Sequence, residues 1–192
     1  MNNSVVDAAD SAPLIFRISK AARRILSLSV CLGAVFGTLA VFLFSFPIPE
    51  GIAALADAAL FDSTGYFRIL WTYSAPCIIA VFLSAVLFGF LLLPILFLFR
   101  GFLLSYSVSA LLMSGISAGK ACLIIGIPAL FSLFALFLLG EEAFCSSLDI
   151  YQTCRGYPRV RFSFISADRL LIAALLLSAA AFARQLLIPL LL

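Results

Sequence analysis

The chain has 192 residues, 65% of them hydrophobic and only 11% charged, with a mean hydropathy of +1.23 and a formal charge of +3. Soluble domains run nearer half apolar and a quarter charged, and a soluble fold of this size has too little interior to hide so much apolar surface. That excludes a soluble domain, the lack of short alternating segments excludes a β-barrel, and the lack of a basic face or binding module excludes nucleic-acid recognition.

The composition therefore predicts an all-α integral membrane bundle. Residues 1–24 read as a cytoplasmic start carrying Arg17, Lys20, Arg23 and Arg24. The run 25–46, "ILSLSVCLGAVFGTLAVFLFSF", meets the ~20 residues a crossing needs. Its Gly33 and Gly37 form a small-xxx-small pattern, which lets two helix backbones approach closely. Residues 47–76 hold Glu50, Asp57 and Asp62 and read as an extracytoplasmic loop. Trp71 and Tyr73 stand there in the position of an interfacial aromatic belt.

The second apolar run spans 77–99 and ends at Arg100 and Gly101. A guanidinium in hydrocarbon costs several kcal/mol. The economical reading places Arg100 at a cytoplasmic boundary, its stem snorkelling to the headgroups. Residues 101–117 then make a shorter third segment with Ser105, Ser107, Ser109 and Ser114, turning at Gly119 and Lys120. An alternative has 101–128 dipping in and returning as a re-entrant hairpin. The fourth segment, 121–140, carries Pro128 near its start. Residues 141–169 form a cytoplasmic loop, where Glu141, Glu142, Arg155, Arg159 and Arg161 offer a contact surface. The fifth segment, 170–191, contains Arg184.

Charge supports this order. With the amino terminus inside, Arg17, Lys20, Arg23, Arg24, Arg100, Arg155, Arg159, Arg161 and Arg169 lie inside. Only Arg68, Lys120 and Arg184 lie outside, completing the 12 cations. The positive-inside bias thus predicts five crossings with the carboxyl terminus outside.

Few chemistries remain open. The chain has no histidine, which removes a Ser-His-Asp triad and an HExxH metal site. Cys31, Cys77, Cys122, Cys145 and Cys154 form no CxxC pair and suggest neither a disulfide framework nor a zinc site. No acidic residue falls inside the five apolar segments, although ion-coupled transporters use such groups. No phosphate-binding loop is present. No catalytic residue, metal or cofactor is expected.

The order of "LGAVFG", an external loop and "FLFRGFLLSYSVSALLMSGISAGKACLIIGIPALFSLFALFLL" resembles the bacterial stage II sporulation protein M family. Arg100, Gly101 and Phe102 match its basic-Gly-Phe entry, Gly119 and Lys120 its turn, and Ile127 and Pro128 its Ile-Pro step. The resemblance implies a multi-pass scaffold of the bacterial cytoplasmic membrane, not an enzyme. Such a scaffold would recruit partners such as cell-wall hydrolases from the lipid bilayer, with homo-oligomers allowed. The rival expectation is the permease subunit of an ABC-type transporter, its ATPase docking on 141–166.

Overall fold

The computed structural model of the protein describes residues 3–44, 65–113, 115, 117–156 and 165–191, with side chains from residue 19 to residue 187 of these except Phe44. All regular structure among them is helical: α1 (Asn3–Phe44), α2 (Tyr66–Ser84), α3 (Gly89–Met113), α4 (Ala118–Cys154) and α5 (Ala167–Leu191). Within α4, Cys122–Gly126 forms a π-helical turn between Ala118–Ala121 and Ile127–Cys154. Long runs of Leu, Phe and Ala can cross lipid only as helices, because no water is present there to satisfy the backbone. Five segments are long and apolar enough to do so: Ser19–Leu43, Tyr66–Ser84, Gly89–Met113, Ala118–Cys154 and Ala167–Leu187. The protein is a multi-pass helical bundle.

The helices alternate in direction. Ser19 and Arg23 of α1 meet Glu141 toward the end of α4, and Arg169 at the start of α5 meets Glu142. Hence α1 and α5 run one way and α4 the other. The α2–α3 turn sits at that same end, because Ser147 of α4 bonds to it. Charge bias makes this end cytoplasmic.

The segment boundaries differ from those expected. The chain does not cross between 77 and 99. It turns back at 85–88, after Tyr66–Ser84, and crosses again as Gly89–Met113. Arg100 and Gly101 therefore stand at no boundary; they lie midway along an unbroken helix. Residues 101–128 form no re-entrant hairpin, since α3 and α4 each continue far beyond that range. Residues 66–76 are helix and not loop, as are 141–154. Residues 45–64, most of the expected external loop, lie outside the described residues, as do Ser114, Arg159 and Arg161.

The turn at 85–88 reads Ala-Val-Leu-Phe, with no charge, glycine or proline. Its stability comes from elsewhere. The Ser147 hydroxyl donates to the Val86 carbonyl (2.9 Å) and accepts from the Phe90 amide (2.8 Å). It thereby satisfies an orphan donor of the α3 amino terminus. Gly89 allows this approach, because a Cβ there would collide with the Leu83 carbonyl.

Close packing of α1 on α3 uses three glycines. A Cβ at Gly33 would strike the Leu98 carbonyl, one at Gly37 the Phe102 carbonyl, and one at Gly101 the Val30 carbonyl. Between lipid-embedded helices, where solvent gives no hydrophobic drive, such backbone proximity supplies the association. The main core joins Leu26, Phe97, Leu136, Leu139 and Leu177. Phe97 stacks edge-on to Phe137 at 5.0 Å and lies over Gly140.

Candidate functional site

Two arginines lie inside the bundle. Arg100 on α3 is 3% exposed and Arg184 on α5 is fully buried. Both face one ring, that of Tyr73 on α2. The Arg100 guanidinium carbon lies 5.6 Å from the ring centroid and that of Arg184 lies 5.9 Å away. Arg184 Nη1 donates to the Tyr73 phenol oxygen at 2.7 Å, and Arg100 Nη2 to Ser132 Oγ of α4 at 3.3 Å. Ser132 Oγ in turn donates to the Ala129 carbonyl at 3.1 Å. Four helices thus contribute one polar side chain each.

The cluster is deep. Ser132 lies some two and a half helical turns further into the bundle than Glu141, roughly 13 Å at about 1.5 Å per residue. Arg184 lies roughly 22 Å along α5 from Arg169 by the same rise. Arginine stays charged, and a charge at such depth demands protein partners. The π-face of a tyrosine and its phenol oxygen both supply negative potential, and desolvation strengthens each contact. Chemically the arrangement holds helices together. It presents no paired carboxylates, nucleophile–base pair or metal cage, and among the described residues no group of metal-ligating side chains exists.

A second polar layer lies at the cytoplasmic end. Arg23 donates through Nε (3.1 Å) and Nη2 (2.8 Å) to Glu141, which also accepts from Ser19. The neighbouring Glu142 accepts from Arg169 Nε at 3.0 Å and from the Ser166 amide at 3.2 Å, where α5 begins. Adjacent residues on a helix point about 100° apart. These two carboxylates therefore clamp two different helices, α1 and α5, onto α4.

The residues singled out from the sequence fall as follows. Gly33 and Gly37 lie against α3 of the same chain, together with Gly101. Arg100, expected at a turn, is in the interior cluster. Gly119 and Lys120 sit in the first turn of α4, so the connection precedes them, and Lys120 is exposed. Pro128 follows the π turn, well inside α4, and is fully buried. Glu141 and Glu142 bind α1 and α5, away from Arg155, which is exposed and lies over the Tyr151 ring at 4.9 Å. Ser107 is buried and donates to the Leu103 carbonyl of its own helix.

Sequence reasoning does not bring Tyr73, Ser132 and Arg184 together as one site. Tyr73, expected in an interfacial belt, is 1% exposed, while Trp71 is 67% exposed. The signal that points to the site is a pair of arginines, each deep in an apolar run, which together require a polar partner on another helix.

Compared with protein-family models, curated proteins and solved structures, the chain finds no significant match.

Proposed function

We propose that this chain is a non-catalytic membrane scaffold of the bacterial cytoplasmic membrane, similar in role to stage II sporulation protein M, which holds partners such as cell-wall hydrolases at the bilayer. One observation carries the reading. Tyr73, Arg100, Ser132 and Arg184 bond among themselves across four helices and so fasten the bundle. Transporters instead aim broken helices and polar groups at a central solute site. Two grooves among the described residues are apolar and lie on the flanks. One, about 550 Å³, is bordered by Val30, Leu104, Ile125 and Leu133; the other, about 290 Å³, by Ile78, Val81, Leu139 and Leu177. Both suit lipid contact.

The permease alternative relies on Glu141 for docking an ATPase, yet that carboxylate is engaged by Arg23 and Ser19. No specific observation favours it.

The test is purification of the full chain from its native membrane in mild detergent. A cell-wall hydrolase co-purifying in fixed ratio is the expected result. A partner-free protein, or one that comes down with an ATPase and moves solute in vesicles, contradicts the proposal.

A further inference from the structure

One face of α1 serves its own chain. Leu26 enters the main core, and Gly33 and Gly37, the pair suited to close helix contact, are taken up against α3. The opposite face carries Ile25, Leu28, Leu32, Val35, Leu39 and Phe42, all between 41% and 62% exposed. Their spacing alternates three and four residues without a break, as the a and d positions of a heptad do. Lipid alone could cover these six. The same register, however, runs back through Ala21, Ile18 and Leu14, past Arg23 and Arg24 at the cytoplasmic boundary. Leu14 stands roughly 13 Å beyond Arg23 at about 1.5 Å per residue, with Arg17 and Lys20 between them. α1 is one unbroken helix from Asn3 to Phe44, so this stretch does not bend down onto the bilayer surface. A seam that passes from lipid into water in constant register fits a second helix that follows it on both sides.

We propose that α1 is a homodimer interface, paired with α1 of a second copy of this chain as a parallel coiled coil over residues 14–42. A second copy inserts in the same direction and presents the same repeat at the same depth. Each seam residue then meets its own counterpart across a two-fold axis along the membrane normal. Charge permits the pairing. Arg17 and Arg24 take g positions, which face e positions of the partner helix, and Ala22, Ser29 and Phe36 hold those. No like charge is opposed. The assignment is independent of the scaffold role.

Single cysteines in the full chain, with the five native cysteines replaced by alanine, test this by copper-phenanthroline oxidation in native membranes. Ile18→Cys, Leu28→Cys, Leu32→Cys and Val35→Cys sample the seam on both sides of the boundary. Phe134→Cys on α4 and Leu175→Cys on α5 replace residues each 61% exposed and report random collision. The expected result is a product of twice the chain's mass, several-fold stronger at all four seam sites than at either control. Seam yields no higher than at Phe134 or Leu175, cross-linking at Leu32 with none at Ile18, or a product of any other mass overturns the proposal.

Discussion

Arg184 of α5 donates to the phenol oxygen of Tyr73 on α2 across 2.7 Å, a bond between residues 111 positions apart in the chain. With the Arg100–Tyr73 contact it makes one ring the meeting point of two buried cations. Removing the phenol oxygen takes away an acceptor from a charged donor, which costs about 1.5–3 kcal/mol in proteins generally. Tyr73→Phe should therefore lower stability in mixed micelles by about 2 kcal/mol, while Trp71→Phe, on the lipid-facing side, should change it little. Denaturant titration of both variants checks the contrast.

The α1–α3 contact leaves no room for side chains at its glycines. Gly33→Leu forces a branched side chain against the Leu98 carbonyl, and overpacking of this kind costs about 1–3 kcal/mol, often more when backbone must move. We expect a destabilised bundle with α1 more accessible to protease. Gly119→Leu, where a Cβ meets nothing within 4 Å, should behave as the parent chain does.

Ser147 serves the α2–α3 turn through both of its hydrogen bonds. Ser147→Ala should lose about 1–3 kcal/mol. Native-state hydrogen exchange should show faster exchange at the Phe90 amide, with amides in the middle of α5 unaffected. Equal acceleration everywhere would mean that the serine has no local role.

The cytoplasmic clamp is weaker than its geometry suggests. The Arg23 side chain is 69% exposed although Glu141 is only 13% exposed, and exposed pairs give about 0.2–1 kcal/mol. A double-mutant cycle with Arg23→Gln and Glu141→Gln should return a coupling in that range, falling as salt rises. A salt-independent coupling above it would contradict the assignment.

Much of the architecture is legible in the order of residues alone. Apolar run lengths and the charge bias yield five crossings, and the turns of the structure leave the bias intact among the described residues: Arg68 and Lys120 lie outside, Arg100 and Arg184 within, and Arg17, Lys20, Arg23, Arg24, Arg155 and Arg169 inside. The close approach at Gly33 and Gly37 is legible too, because glycine spacing is a local feature. The position of the second turn is not. Ala85 to Phe88 carries no turn residue, and its turn depends on Ser147, some sixty residues away. Arg100, standing at the end of a long apolar run, is the obvious alternative marker. Placing the turn there moves Tyr73 to the interface and hides the site.

Accessibility along this stretch tests the central claim, that Arg100 lies inside a single continuous crossing tied to Tyr73 and Ser132. In a background with the five native cysteines replaced, Leu87→Cys and Phe99→Cys are exposed in sealed, inside-out vesicles to a membrane-impermeant maleimide. Strong labelling at 87 with protection at 99 is the predicted pattern. Labelling at 99 with protection at 87 would return the arginine to a water boundary and contradict the account.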